Sequence, residues 1–209
     1  MDPRNVPPPQ LILASTSRYR RELLQRLRLP FDVTAPEVDE TAHAGETPAA
    51  LAQRLALAKA RAVAARHPDA VVIGSDQVAD LAGVAIGKPG THERAVAQLR
   101  RMRGRSVVFQ TAVAVVRNGG RDVVGTALAP VTVRFRQLDD AEIEHYLRTE
   151  QPYDCAGSAK AETLGIALLE AIESDDPTAL IGLPLIRTCT LLRAAGIDPL
   201  ATAQAPGTP

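Results

Sequence analysis

The sequence contains no tryptophan, and aromatic residues make up only 3% of its 209 residues. A chain of this length buries a sizeable core, which here must consist mainly of Ala, Val, Leu and Ile. Lysine is also scarce. The 24 basic residues are 21 arginines and only three lysines, Lys59, Lys88 and Lys160. These three are informative, since arginine does not replace lysine where a compact ammonium group is needed.

An excess of charge of either sign is missing too. The 24 basic and 24 acidic residues cancel, which argues against a dedicated nucleic-acid-binding protein. No apolar run approaches the roughly 20 residues that span a bilayer, and residues 1–9 lack the apolar segment of a secretory signal. We therefore expect a cytoplasmic protein whose partners include neither a nucleic-acid polymer nor a membrane.

Cysteine and histidine are too few and too scattered to predict a metal site. Cys155 and Cys189 are 34 residues apart, without the spacing of metal ligands. We expect two reduced thiols rather than a disulfide. The four histidines are dispersed along the chain, which argues against a histidine-based metal centre.

Between two tails that we predict to be disordered, 1–9 and 202–209, the chain is predicted to form one domain over 10–201. Hydrophobic patterns predict strands at 11–14, 31–35, 71–74, 107–116, 123–135 and 165–172. Capping residues and amphipathic patterns predict helices after 15–17 and at 47–66, 91–102, 139–147 and 184–195. The alternation of strands and helices, together with a hairpin at Asn118-Gly119-Gly120, predicts an α/β fold with a mixed sheet and flanking helices.

Three short motifs suggest phosphate chemistry. The run Ser15-Thr16-Ser17, followed by Arg20 and Arg21, joins a strand to a helix N-terminus, where backbone amides favour anions; an ordinary helix cap with a solvated basic face is the alternative. Asp76 follows a buried strand and is either a catalytic carboxylate or a turn residue. Lys88 lies in a Gly-Lys-Pro run that does not match a Walker A loop, so it is either a phosphate ligand or a solvated lysine.

Two further segments carry weaker signals. The acidic cluster from Glu37 to Glu40 is either surface charge or a set of ligands for a hard cation such as Mg²⁺. Residues 155–165 combine small residues with one lysine and one glutamate. This composition suggests backbone that approaches a ligand closely, with a structural loop as the alternative.

In this order, the segments resemble the Maf family of nucleotide pyrophosphatases over about residues 10–200. The matching pieces are Leu11-Ile12-Leu13-Ala14-Ser15-Thr16-Ser17 with Arg20-Arg21, Ala35-Pro36-Glu37-Val38-Asp39-Glu40, Arg54-Leu55-Ala56 with Lys59-Ala60, Ile73-Gly74-Ser75-Asp76-Gln77, Gly87-Lys88-Pro89, Ala156-Gly157-Ser158 and Gly182-Leu183-Pro184-Leu185. The resemblance implies the inosine-triphosphatase-like fold, with a cleft between two lobes and a single catalytic domain over 10–201. It also implies a divalent-metal-dependent enzyme (Mg, Mn or Co) that cleaves a nucleoside triphosphate between the α and β phosphates.

The resemblance also implies roles for individual residues. Asp76 corresponds to the general base, and Glu40 and Asp76 to acidic residues near the metal. The residues that correspond to phosphate ligands are Ser15, Arg20, Arg21, Lys59 and Lys88. Lys160 lies two residues before Glu162 and is assigned no role from the sequence; a homodimer is the one assembly considered.

Tyr19, Gln77 and Glu162 occupy positions that differ between branches of the family. An aromatic residue, Gln and Glu there resemble the YceF-like branch, whose implied substrate is 7-methylguanosine triphosphate, whereas the pyrimidine branch carries Arg, Thr and Gln. The chemistry agrees, because an aromatic face attracts the cationic N7-methylguanine and a carboxylate accepts hydrogen bonds from its N1–H and amine. A pyrophosphatase for dTTP, UTP or modified pyrimidine nucleotides and a non-catalytic nucleotide-binding regulator of cell division are the alternatives.

Three residues depart from the family pattern. Arg18 stands where the family usually has Pro, a residue suited to the first helical turn. Ala159 and Thr163 replace a bulkier aromatic residue and a Gly. These differences leave the shape of the base pocket open.

Overall fold

The computed structural model describes residues 9–201. The strands β1 to β7 are Leu11–Ala14, Asp32–Thr34, Val71–Leu81, Val84–Ile86, Ser106–Arg117, Asp122–Phe135 and Leu169–Glu173. The helices α1 to α5 are Arg18–Gln25, Pro48–Ala64, His92–Met102, Asp140–Glu150 and Leu185–Ala194. The predicted mixed sheet with flanking helices is confirmed. Apart from Pro9, the predicted tails 1–9 and 202–209 lie outside the described residues.

The strands form one mixed sheet in the order β2-β1-β3-β5-β6-β7, and β4 pairs with β3. Strand β1 is parallel to both β2 and β3, whereas β3, β5, β6 and β7 pair antiparallel. Ala14, the last residue of β1, is opposite Gly74 in the middle of β3. Because β3 continues beyond that point, Asp76 lies next to the place where β1 ends and the chain turns into α1.

Helices cover both faces of the sheet. The apolar side of α2 packs against β1, β3 and β5 on one face, and α1 and α5 pack on the other. Helices α3 and α4 cover the half of the sheet formed by β5, β6 and β7. Ala, Val, Leu and Ile dominate this core, and Phe109, Phe135 and Tyr146 are its fully buried rings.

Two strand boundaries differ from prediction. The strand predicted at 71–74 continues to Leu81. The strand predicted at 165–172 begins only at Leu169, because Leu164–Leu168 is a 3₁₀ helix. A Cβ at Gly165 would lie 2.7 Å from the backbone nitrogen of Lys160, so the chain is coiled tightly on itself there instead of extended.

Candidate active site

A cavity of about 640 Å³ opens where β1 ends and α1 begins. The residues that line it come from seven places in the chain and include Ser15, Tyr19, Arg20, Glu40, Lys59, Asp76, Gln77, Lys88 and Glu162. The predicted site residues are thus brought into one cavity, with one exception. Arg21 is exposed on α1 and does not line it.

Lys59 lies at the centre of the charged part of this cavity. Its side chain is 7% exposed, and its Nζ is 2.6 Å from both Glu40 Oε1 and Asp76 Oδ1. Burial acts to raise the pKa of Glu40 and is the largest single influence, but the hydrogen bond and charge of Lys59 together with the charges of Lys88 and Arg20 outweigh it, so that this pKa is lowered. One ammonium group thus forms ion pairs with two carboxylates that approach from different segments.

The position of Lys59 depends on close contact between α2 and β3. Gly74 lies against the backbone of α2, where a Cβ would be 2.6 Å from the Ala60 nitrogen. Only glycine permits this approach, which brings Lys59 within reach of Asp76 two residues along β3. The Gly74 contact has no signature in the sequence apart from the glycine itself.

Arg20 is held in place by a backbone carbonyl of a distant segment. Its Nε donates to the Gly182 carbonyl at 2.8 Å, and the buried Ser75 hydroxyl lies 3.0 Å from the same oxygen. Burial lowers the pKa of the guanidinium, whereas nearby Asp76 and Glu40 raise it, and arginine stays charged in proteins in any case. The bond through Nε leaves the terminal nitrogens of Arg20 to bind an anion in the cavity.

Gln77 lines the cavity, but its amide nitrogen is used by the protein itself. It lies 2.9 Å from each of three acceptors, Thr111 Oγ1, the Ala179 carbonyl and the Leu180 carbonyl, among which its two hydrogens are shared. Thr111 Oγ1 donates to the Ala179 carbonyl as well. Gln77 therefore fastens the segment that presents Gly182 to Arg20, a role that sequence reasoning missed because the partners lie about a hundred residues away.

Another part of the cavity is lined by Tyr19, Cys155 and Glu162. Tyr19 is half-buried, and the Arg18 guanidinium lies 4.7 Å from the centroid of its ring. Glu162 is exposed at the rim. Cys155 lies beside them, and burial together with Asp154 raises the pKa of its thiol to about 12, so the thiol is protonated at neutral pH. Both cysteines are free, as expected.

Lys160, the third lysine, is buried but serves the scaffold. Its Nζ donates to the Glu150 carbonyl at 3.2 Å, and its backbone nitrogen donates to the Tyr146 hydroxyl at 3.1 Å. It does not line the cavity. Its contacts attach the segment that carries Glu162 to the end of α4.

The segment that carries Glu40 is held by an ion pair outside the cavity. Arg54 on α2 donates to both carboxylate oxygens of Glu46, at 2.6 and 2.8 Å, and to the Thr41 carbonyl at 2.9 Å. The hydrogen bond from Arg54, followed by that from the His43 backbone, lowers the pKa of Glu46 to about 2. The sequence identifies Arg54 only through the family resemblance and does not predict its ion pair with Glu46.

We expect Glu46→Gln to destabilise the protein at neutral pH and to destabilise it clearly less at pH 3. A carboxylate whose pKa is depressed in the folded state contributes stability above its unfolded pKa of about 4.3, and this contribution disappears as pH falls towards 2. Urea unfolding at pH 7 and pH 3 measures it, with the exposed Glu37→Gln as the control. A destabilisation of equal size at both pH values would contradict the ion pair as its source.

Two carboxylates in this cavity are suited to share a divalent cation. Glu40 and Asp76 each have an oxygen 2.6 Å from the same Lys59 nitrogen, so those oxygens are within twice that distance of each other. Among residues 9–201, no group of three or more His, Cys, Asp or Glu side chains is placed to hold a metal ion. The pair therefore fits Mg²⁺ or Mn²⁺ that takes its other ligands from phosphates and water, and does not fit an ion enclosed by protein ligands alone.

Within the same residues, no helix is long and apolar enough to cross a membrane.

Comparison with known proteins reveals extensive similarity. The family model described as "Maf-like protein" matches residues 10–195. The chain is 71% identical to a 7-methyl-GTP pyrophosphatase of Polaromonas sp. over 90% of this chain and 85% of that protein. Proteins of the same name from Albidiferax ferrireducens and Bordetella pertussis are 68% and 62% identical, over 91% and 92% of this chain and 96% of each relative. A solved nucleoside-triphosphatase / dITP/XTP pyrophosphatase from Mycobacterium abscessus is 17% identical with a TM-score of 0.40, over 62% of this chain and 75% of that one.

Proposed function

Because this chain belongs to the Maf-like protein family, we propose that it is a nucleotide pyrophosphatase that converts 7-methyl-GTP to 7-methyl-GMP and pyrophosphate. The observation that carries the proposal is the cavity in which Lys59, Asp76 and Glu40 meet beside Arg20 and Lys88. The names of relatives that are 62–71% identical support the substrate.

A triphosphate is strongly anionic, so a protein of zero net charge must concentrate cations where the phosphates bind. We assign this task to Arg20, Lys59 and Lys88, with the Ser15 hydroxyl at the helix N-terminus. Ser15 Oγ accepts a hydrogen bond from the Ser17 nitrogen at 3.1 Å, which leaves its proton for a phosphate oxygen. The exposed Arg21 contributes long-range attraction only.

Asp76 is the proposed general base. Its Oδ1 is bound to Lys59, and its other oxygen is available to a water in the cavity. The carboxylate would orient this water and take its proton as the water oxygen bonds to the α-phosphorus. The bond from the α-phosphorus to the bridging oxygen breaks, and pyrophosphate leaves with its charge stabilised by the surrounding cations.

Glu40 and Asp76 are the proposed ligands of a divalent cation, which when bound would neutralise charge on the phosphates as a Lewis acid. The lysine and arginine side chains bind and orient the phosphates. Tyr19 and Glu162 would recognise the base: the ring attracts the cationic methylated guanine, a contact worth about 0.5–2 kcal/mol, and the carboxylate accepts its hydrogen bonds.

We further propose that residues 10–201 form the catalytic domain and that the protein acts in the cytoplasm on a small nucleotide. The free thiols of Cys155 and Cys189 support a reducing compartment.

The proposal is tested by measuring pyrophosphate release from a panel of triphosphates with Mg²⁺, Mn²⁺ or Co²⁺. We expect kcat/KM for 7-methyl-GTP to exceed that for GTP, UTP and dTTP by about tenfold or more, because the cation–π contact is lost with all three. With UTP and dTTP the paired hydrogen bonds from the guanine N1–H and amine to Glu162 are lost as well. A preference for UTP or dTTP would favour the pyrimidine branch. Binding of 7-methyl-GTP without release from any substrate would favour a regulatory protein.

A further inference from the structure

Lys59 and a divalent cation would compete for the same two oxygens. Lys59 Nζ is 2.6 Å from Glu40 Oε1 and 2.6 Å from Asp76 Oδ1. Mg²⁺ binds oxygen at about 2.0–2.1 Å. An ion bound to both oxygens would therefore lie within about 5 Å of the ammonium nitrogen. The two positive charges would repel each other there and would compete for the negative charge of the same two oxygens.

We propose that Lys59 blocks the divalent-cation site until the triphosphate binds, and that it thereby couples cation binding to substrate binding. This inference rests on the proposed function. The ammonium group already pairs with both carboxylates, so its charge weakens their attraction for an ion in the free enzyme. When the phosphates enter, they offer Lys59 another set of anionic oxygens in the same cavity, and Glu40 and Asp76 become available to the cation.

The surroundings of Lys59 favour this exchange. The lysine is on α2, held against β3 by the Gly74 contact, so that its backbone is fixed while the ammonium at the end of the flexible side chain can turn. Asp76 is also on the rigid sheet and only 10% exposed, whereas the Glu40 side chain is 58% exposed on a loop. Glu40 is thus the partner that can move as the cation replaces the ammonium. An arginine fork, with its fixed geometry, would be less able to change partners.

The first experiment measures Mn²⁺ binding without nucleotide, by calorimetry and by the electron paramagnetic resonance signal of free Mn²⁺. We expect Lys59→Met to bind Mn²⁺ at least about tenfold more tightly than the wild type, because a positive charge in contact with both ligands is removed. Lys88→Met is the matched control, since it removes the same charge from the same cavity. Lys88 affects Glu40 only through the electrostatic effect of its charge. We therefore expect Lys88→Met to change the affinity for Mn²⁺ by less than about threefold.

A second measurement uses the wild-type protein and does not depend on the folding of any variant. With only three lysines in the chain, selective ¹³Cε labelling of lysine yields three signals, which the lysine-to-arginine variants assign. We expect Mg²⁺ with inorganic triphosphate to shift the Lys59 signal strongly and that of Lys160 hardly at all. Mg²⁺ alone should shift Lys59 only at much higher concentrations.

The proposal is overturned if Lys59→Met binds Mn²⁺ no more tightly than the wild type, if Lys88→Met gains as much, or if the Lys59 signal is unchanged in the ternary mixture. Failure of all variants to bind Mn²⁺ also overturns it. These outcomes are distinguishable from failure of the proposed function, which is the absence of pyrophosphate release by the wild type from every triphosphate in the panel.

Discussion

Asp76→Asn is expected to lower kcat for pyrophosphate release by about 10²–10⁴-fold, the usual contribution of a positioned general base. The amide retains the size of the carboxylate and an oxygen that accepts a hydrogen bond from Lys59. It has no charge and does not take a proton from water. KM for the triphosphate should change much less than kcat, because Arg20 and Lys88 still bind the phosphates.

The matched control is Asp80→Asn, four residues further along the same strand. Asp80 Oδ1 accepts a hydrogen bond from the Gly83 nitrogen at 2.7 Å, a contact that asparagine can keep, and Asp80 does not line the cavity. We expect the control to retain wild-type turnover. The assay is steady-state pyrophosphate release, with circular dichroism spectra to show that each variant is folded. Near-full turnover of a folded Asp76→Asn protein would show that the base is another group.

More of the chemistry of this site than of its three-dimensional structure could be predicted from the sequence. The short apolar run of β1, the capping hydroxyls after it and the hairpin at Asn118-Gly119-Gly120 were visible as local patterns, and all are present. Local sequence patterns suffice for these elements because each residue type suits the backbone conformation at its own position. The ordered family motifs then indicated which of several weak carboxylate and cation signals belonged together.

The length of β3 illustrates what local patterns miss. The apolar run ends at Gly74, and the polar residues that follow predict the end of a strand, yet the strand continues through them. Polar side chains are tolerated in a buried strand when they are hydrogen-bonded. Ser75 donates to the Ala112 carbonyl, Asp76 accepts from Lys59 and Gln77 donates to Thr111, and these partners are 17 or more residues away in sequence.

The second large effect is expected from Gly74→Ala, which should destabilise the protein by about 3 kcal/mol or more, at or above the upper end of the usual cost of overpacking a core. The added Cβ would be 2.6 Å from the Ala60 nitrogen and also too close to the Ala56 carbonyl. Both are backbone atoms of α2, which cannot rotate away as a side chain does. Urea unfolding measures the decrease in the free energy of unfolding. Gly87→Ala, where a Cβ meets nothing within 4 Å, should change stability by only about 0.5 kcal/mol.

The nature of the collision determines whether a second change can relieve it. The Ala60 Cβ is 2.9 Å from the added atom, so Ala60→Gly removes one of the three close contacts and leaves both backbone contacts in place. We therefore expect Gly74→Ala with Ala60→Gly to be at least as unstable as Gly74→Ala, since glycine inside α2 carries a cost of its own. Recovery of wild-type stability in the double variant would mean that only side chains collide. Whatever fraction of Gly74→Ala folds must have α2 displaced from β3, which moves Lys59 away from Asp76 and lowers kcat in the same sample.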